Sequence, residues 1–117
     1  MTTLLHICPQ ADWRAGQAAG AYRAASLETD GFIHCSLASQ VLGVANVMFV
    51  GQTDLVLLVI DSDALTESLI YEDCYETGQK FPHIYGPLNL DAVMDVVAFP
   101  AGPDGRFTLP PALPAAD

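Results

Sequence analysis

Three histidines, His6, His34 and His83, are the residues of this sequence best suited to chemistry. Each stands between apolar neighbours in a segment typical of an extended strand, so each imidazole is expected on a strand face. An imidazole both donates and accepts hydrogen bonds near neutral pH, and a strand aims it rigidly within an apolar wall. The pattern favours histidines that line one ligand pocket, although each alone also fits a hydrogen-bonded core residue.

A second group of aromatic and polar residues is predicted to complete this pocket. Residues 81–87 read Phe-Pro-His-Ile-Tyr-Gly-Pro, which is more rigid and more chemically mixed than a core strand needs. Tyr85 belongs to this segment, Tyr22 follows the first predicted helix, and Ser36 ends the second predicted strand. The predicted cleft is lined by His6, Tyr22, His34, Ser36, His83 and Tyr85.

The cysteines do not indicate a metal centre, and no metal is predicted. Cys8, Cys35 and Cys74 are widely spaced, odd in number and without a C-x-x-C pair, which favours reduced thiols packed as small core residues. A zinc site around His6 and His34 would use His-x-Cys and His-Cys, which are not recurrent ligand spacings. Because neighbours on a strand face opposite ways, His34 and Cys35 cannot form a thiolate–imidazolium pair.

The acidic residues indicate a functional site less clearly than the histidines do. Asp61 ends one predicted strand, and Glu72 and Asp73 lie in another, so a paired-carboxylate mechanism would depend on a separation that the sequence does not set. Asp61, Asp63 and Glu67 lack the glycine and remaining ligands of a calcium loop, and they fit the charge of a helix N-terminus better. No carboxylate is therefore assigned to the site.

Apolar periodicity predicts the elements that position these residues. Residues 55–60 are consecutively apolar, which is typical of a central strand buried on both faces. Further strands are predicted over residues 3–8, 32–36, 69–74 and 81–85, with a terminal hairpin of 96–99 and 106–109.

Two helices are predicted in the first half of the chain. One is capped by Asp12 and closed by Gly20, and the other begins at Leu37, with Ser36 as its cap, and stops at Gly51. The predicted helices cluster in the first half of the sequence, and strands are concentrated in the second half. This order indicates a small single α+β domain with curved mixed or antiparallel sheets and two to three helices.

Length and charge exclude several classes of protein. The chain has 117 residues with a formal charge of −10, which accommodates one domain and disfavours general nucleic-acid binding. The uncharged stretch 31–53 contains too many polar residues for a membrane span, and the N-terminus lacks a secretory pattern. We therefore expect a cytoplasmic protein with its domain over residues 1–109 and a Pro/Ala-rich tail over 110–117.

The blocks Leu5-His6-Ile7, Gly31-Phe32-Ile33-His34-Cys35-Ser36 and Phe81-Pro82-His83-Ile84-Tyr85-Gly86, with Trp13, Tyr22 and Gln40, carry a family resemblance. They resemble the bacterial domain of unknown function 952, over roughly the whole domain. That family is similar to a compact branch of the ADP-ribosyltransferase superfamily, whose fold and NAD substrate the resemblance therefore implies.

The resemblance also implies roles for individual residues. His6 is expected to hold a ribose hydroxyl of NAD, and His34 to lie beside the nicotinamide ribose. The third motif position falls between His83 and Tyr85, where the better-known members have a glutamate and this chain has none. Either Tyr22 or Tyr85 would stack on nicotinamide, and the pyrophosphate would be neutralised by Arg14 and Arg23, helped by free amides at the helix start after Ser36.

Three functions remain open at this point. The first is an enzyme that binds NAD or a related nucleotide and transfers ADP-ribose to an acceptor. The second is a catalytically inactive nucleotide or metabolite sensor on the same scaffold, which the missing glutamate favours. The third is a protein interaction module whose histidines only cap sheet edges.

Overall fold

The computed structural model describes residues 2–74, 76–111 and 113. Within this part of the chain, eight strands and three α-helices form an α+β domain with antiparallel sheets. The strands are β1 (Thr3–Pro9), β2 (Ala21–Tyr22), β3 (Ile33–His34), β4 (Leu55–Asp61), β5 (Leu69–Glu72), β6 (Phe81–Ile84), β7 (Leu88–Asn89) and β8 (Val93–Ala98). The helices are α1 (Gln10–Ala19), α2 (Ser26–Thr29) and α3 (Val41–Met48), and two 3-10 turns cover Ser62–Ala64 and Leu90–Ala92.

The core sheet consists of β1, β4 and β8, with β4 in the middle. Residues 55–60 of β4 are all buried, as the unbroken apolar run predicts. Leu58 and Ile60 face a cluster that includes Trp13 and Tyr22, and Leu57 faces a second cluster that includes α3. Complete burial of one such aliphatic side chain contributes about 1.5 to 3 kcal/mol, so the two faces of β4 are a main source of stability.

Helix α1 packs closely on strand β2. A Cβ atom on Gly16 would lie 2.9 Å from the Tyr22 Cα, so only glycine allows this approach. Gly20 closes the helix with φ of 88°, as predicted, because residues with a Cβ avoid this conformation. The prediction that Asp12 caps the helix is wrong: the helix begins at Gln10, and Asp12 lies in its first turn.

The second sheet, called here the site sheet, consists of β3, β6 and β5 in that order. His34 pairs with His83 across β3 and β6, and Ile70 pairs with His83 across β5 and β6. Backbone hydrogen bonds of 2.8 Å in both directions join Leu5 to Ser36 and attach this sheet to β1. The attachment brings the strand of His34 beside the strand of His6.

Helix α3 begins later than the apolar period predicts. It starts at Val41, because the backbone of Ser36 is committed to the bridge with Leu5 and the side chain of Gln40 accepts from the Leu37 N–H at 3.0 Å. The predicted helix start directly after Ser36 is therefore wrong, and the first amide after Ser36, that of Leu37, is already bonded to the Gln40 side chain.

The predicted terminal hairpin is also wrong. Strand β8 covers residues 93–98 and pairs with β4, and residues 106–109 are not assigned to a strand. A turn does form at 102–106, closed by Gly102 N donating to Arg106 O at 2.8 Å. Phe107 then packs on Phe99, and its backbone bonds in both directions to the Asn46 side chain of α3.

The tail predicted over 110–117 lies largely outside the described residues. Leu113, which is described, packs against the apolar cluster beneath α3. None of the helices in the described ranges has the length and apolar character that crossing a membrane requires.

Candidate functional site

One face of the site sheet carries an aromatic and imidazole cluster around a carboxylate. The register places His34 opposite His83, and the alternation of the strands adds Phe32, Glu72 and Tyr85 to the same face. We call these five residues the carboxylate cluster. The rings of Phe32 and His83 stack with centroids 4.0 Å apart, and the rings of His34 and His83 meet edge to face at 5.3 Å.

The carboxylate of Glu72 is held by two donors from the neighbouring strand and the residue after it. Its Oε1 accepts a hydrogen bond from His83 Nδ1 at 2.8 Å and a second from the Tyr85 hydroxyl. The bond from Tyr85, followed by the bond from His83, holds the pKa of Glu72 below its ordinary value. The same bond raises the pKa of Tyr85 to about 12. Glu72 is thus an ionised acceptor with a fixed direction at neutral pH.

His34 lies at the outer edge of this cluster. Its side chain is 36% exposed, and its Nε2 donates to Asp30 at 2.9 Å, just after helix α2. Its ring also packs against Phe32 with centroids 4.8 Å apart. His83, in contrast, is completely buried beneath its neighbours. Of the two facing imidazoles, His34 is therefore the one whose ring is open to an organic ligand.

His6 lies in a different environment, which we call the buried polar chain. Its Nδ1 donates to the carbonyl oxygen of His34 at 2.5 Å, and its Nε2 accepts from the Tyr22 hydroxyl at 2.7 Å. The thiol of Cys8 interacts electrostatically with Tyr22. Both ring nitrogens of His6 are thus used inside the protein, and the chain ends on the backbone of His34.

Burial determines the protonation state of the groups in the buried polar chain. Desolvation lowers the pKa of His6 to about 4, so the ring is neutral near pH 7 and carries one donor and one acceptor, as its two bonds require. Desolvation raises the pKa of Cys8 to about 11 and that of Tyr22 well above its ordinary value. It also raises the pKa of the buried thiol of Cys35. These groups serve as neutral hydrogen-bonding or packing groups.

The other predicted site residues are distributed around these two regions. Ser36 is buried in the bridge to β1, and Tyr22 is only 1% exposed. Arg14 is exposed on α1. Arg23 lines an open surface groove of about 290 Å³ between α1 and α2, together with Asp12, Ala24, Ala25, Leu27 and Glu28. The structure thus brings His34, His83 and Tyr85 together, and places His6 and Tyr22 behind them.

Sequence reasoning missed the position of two residues, Glu72 and Cys74. Glu72 and Phe81 are register partners, so Glu72 lies diagonally across from His83 on the same sheet face. The Cys74 Sγ lies 3.8 Å from His83 Nδ1, and the thiol is exposed, unlike the buried thiols of Cys8 and Cys35. Alternation along two predicted strands was the available signal, but only their pairing and register place these residues together.

The carboxylate cluster presents three kinds of group at one surface. An ionised carboxylate stabilises a developing positive charge nearby, and an imidazole and a phenol hydrogen-bond to hydroxyl groups. Aromatic faces beside them suit a planar ring. The fold and this cluster define a small α+β domain with a carboxylate held at the surface by an imidazole and a phenol.

The chain belongs to the family described as protein of unknown function (DUF952), whose family model matches residues 7–96. It is similar to the crystal structure of protein CC0527 from Caulobacter crescentus, with 34% identity, a TM-score of 0.83, and coverage of 92% of this chain and 94% of that chain. It is also similar to the solution NMR structure of CC0527, with 36% identity, a TM-score of 0.78 and 91% coverage of each chain. No curated protein matches the sequence.

Proposed function

We propose that this protein binds NAD or a related nucleotide at the carboxylate cluster and transfers its ADP-ribose part to a nucleophilic acceptor. The single observation that carries this proposal is the Glu72 carboxylate, held by His83 and Tyr85 beside the accessible ring of His34. The better-known ADP-ribosyltransferases have a glutamate at the third motif position. In this proposal Glu72 takes over the role of that carboxylate from the neighbouring strand β5, which pairs with β6.

The chemistry of the transfer explains why the carboxylate matters. The bond between C1′ of the ribose and the nicotinamide nitrogen breaks, and its electron pair neutralises the charged nicotinamide ring. The ribose carbon becomes oxocarbenium-like, and an ionised carboxylate nearby stabilises that charge. The acceptor then forms a bond to C1′ and releases its proton to solvent; water in this role gives free ADP-ribose.

Each residue of the site has a role in this proposal. Glu72 and His34 contact the ribose, and the exposed Tyr85 stacks on nicotinamide, since Tyr22 is buried. His83 positions the carboxylate from beneath. His6 also acts as a positioning residue, because its bonds are made to Tyr22 and to the backbone of His34.

Two further parts of the proposal concern the pyrophosphate of the ligand and the cellular compartment of the protein. Arg23, in the groove between α1 and α2, and Arg14 would neutralise the pyrophosphate. The thiols of Cys8, Cys35 and Cys74 are free, which suits a reducing compartment, so we place the protein in the cytoplasm.

The test combines binding and turnover. NAD and ADP-ribose are titrated into the protein by calorimetry, and nicotinamide release from NAD is followed by chromatography. We expect both ligands to bind, and we expect Glu72→Gln to retain ADP-ribose binding while nicotinamide release falls by about 100-fold or more. Asp95→Asn removes an exposed carboxylate from β8 and serves as the matched control, with unchanged release.

The outcomes separate the remaining alternatives. Absence of binding by both ligands contradicts the proposal as a whole. Binding without nicotinamide release contradicts the transferase and supports a catalytically inactive nucleotide-binding module. Equal release by wild type and Glu72→Gln contradicts the role of the carboxylate.

A further inference from the structure

Three metal-ligating side chains of different types converge at the end of strand β5. One ligand atom from each of Glu72, Cys74 and His83 lies within 4.8 Å of the other two. His83 Nδ1 is 2.8 Å from the carboxylate oxygen and 3.8 Å from the sulfur. Such a set of oxygen, sulfur and nitrogen donors is not required by the packing of the sheet, since Cys74 is exposed.

The backbone after β5 holds the cysteine in this place. The Asp73 carboxylate accepts from the Thr77 N–H at 3.0 Å and from the Gly78 N–H at 2.7 Å, which closes the turn in which Cys74 lies. Gly78 adopts φ of 83°, a conformation that suits glycine. The thiol is therefore presented by a hydrogen-bonded turn next to the fixed ends of β5 and β6.

The distances fit one small ion between the three atoms. A tetrahedral zinc with bonds of about 2.1 Å to nitrogen and 2.3 Å to sulfur separates these two atoms by about 3.6 Å. The Cys74 Sγ and His83 Nδ1 are 3.8 Å apart, so a shift of a few tenths of an ångström satisfies this geometry. The Glu72 oxygen must move away from Nδ1 by about 0.6 Å, to the roughly 3.4 Å that two ligands of one zinc ion require.

The donor types select the class of ion. Thiolate and imidazole favour zinc and other borderline transition metals, whereas magnesium and calcium prefer sets composed of oxygen atoms. A thiolate and a carboxylate balance the double positive charge of the ion. The formal charge of −10 on the chain also raises the local concentration of cations.

We propose that Glu72, Cys74 and His83 bind one divalent ion of the zinc class. The ion takes the place of the proton that His83 Nδ1 shares with the Glu72 carboxylate. That proton is released to solvent and Nε2 takes one up, so the ring stays neutral, and Cys74 releases its thiol proton to solvent. The protein supplies these three ligands, and a fourth position stays open to water, as in zinc sites with three protein ligands. This site replaces the expectation from sequence that no metal is bound.

The ion would also regulate the activity proposed above. Glu72 cannot both ligate a cation and stabilise a cationic ribose, so zinc binding and transfer exclude each other. This consequence depends on the proposed function, whereas the metal site itself does not.

The test of the site uses cobalt as a spectroscopic substitute for zinc. Full-length protein is freed of metal with a chelator and titrated with Co²⁺. We expect one ion per chain, a charge-transfer band from thiolate to cobalt, and loss of this band on addition of Zn²⁺. Cys74→Ser should lose the band, and Glu72→Gln should weaken cobalt binding by 10-fold or more.

Two control variants make the result specific. Cys35→Ala removes a buried thiol and should retain the band. Glu76→Gln removes an exposed carboxylate from the same turn as Cys74 and should retain the affinity. Circular dichroism verifies that each variant is folded. A wild type without the thiolate band, or a band that persists in Cys74→Ser, overturns the proposal.

The regulatory consequence has a separate measurement. Zn²⁺ should inhibit nicotinamide release by the wild type, and Cys74→Ser should resist this inhibition by 10-fold or more in zinc concentration. Inhibition that is equal in both proteins overturns the regulatory link. If NAD is not a substrate at all, the cobalt titration still decides whether the metal site exists.

Discussion

In the buried polar chain, both nitrogens of His6 bond within the protein, whereas in the carboxylate cluster the side chain of His34 keeps about a third of its surface exposed. Each region pairs an imidazole with a tyrosine. Tyr22 donates to His6 from the core, and Tyr85 donates to Glu72 at the surface. The two regions contain similar residue types, and solvent access separates their roles.

Desolvation is the physical cause of this difference. It lowers the pKa of His6 to about 4, which fixes a neutral ring with a defined donor and acceptor. Two donors hold the pKa of Glu72 low and keep a charge at the surface, where water and a ligand can reach it. The first region thus stabilises and orients the backbone of His34, and the second is where chemistry can occur.

The largest difference in the free energy of unfolding is expected between two alanine variants, one from each region. His6→Ala removes a buried ring and leaves the Tyr22 hydroxyl and the His34 carbonyl without this partner, so we expect a loss of about 3 kcal/mol in the free energy of unfolding. His34→Ala should cost less than about 1 kcal/mol, because the lost bond to Asp30 is exposed. Urea unfolding measures both, and equal losses would show that the two regions are not energetically distinct.

The pH dependence of the free energy of unfolding gives a second test of the difference between the buried polar chain and the carboxylate cluster. The folded pKa of His6 is about 4 against 6.5 for an ordinary histidine, so the unfolded chain binds more protons between these values. The free energy of unfolding therefore falls as the pH falls from 6.5 to 4, with a contribution from His6 on the order of 3 kcal/mol. Urea unfolding at several pH values should show a shallower decline in His6→Gln than in wild type. Parallel curves would contradict the assignment to His6.

The two tyrosines provide the smallest and most closely matched comparison. Tyr22→Phe should lower the free energy of unfolding by about 1 to 2 kcal/mol, because it breaks the buried hydrogen bond to His6. Tyr85→Phe should raise the pKa of Glu72, since the bond that lowers this pKa most is lost. It should lower the free energy of unfolding at neutral pH by less than Tyr22→Phe does, because the lost bond is at the surface. NMR titration of the Glu72 carboxyl carbon in metal-free protein measures this rise. An unchanged pKa of Glu72 in Tyr85→Phe would show that Tyr85 does not hydrogen-bond to this carboxylate.

Local patterns predict the main strands because they depend on neighbours in the chain. The run 55–60 folds as the buried middle strand, and the alternation around His6 folds as β1. The predictions of where α3 begins and of a terminal hairpin are wrong, because long-range contacts outweigh the local conformational preference at both places. Ser36 pairs with Leu5 and so cannot cap a helix, and Phe107 is held by Asn46 of α3 in place of a second hairpin strand.

The candidate site was predictable only in part. Sequence pointed to His34, His83 and Tyr85 because three histidines occur in apolar extended segments and because residues 81–87 are more rigid and chemically mixed than a core strand needs. It assigned no carboxylate, although Glu72 was visible as one of several acids. The missing information was the order of the strands, since β5 pairs with β6 and brings Glu72 across from His83.

The sequence by itself determined where the main strands lie and which of their polar side chains share one face of a strand, because side chains alternate along an extended backbone. The tertiary structure alone decided that His6 is withdrawn into the core, that His34 remains accessible, and that Glu72 and Cys74 meet His83. These outcomes depend on strand pairing and on exclusion of water, and both arise from contacts between distant parts of the chain.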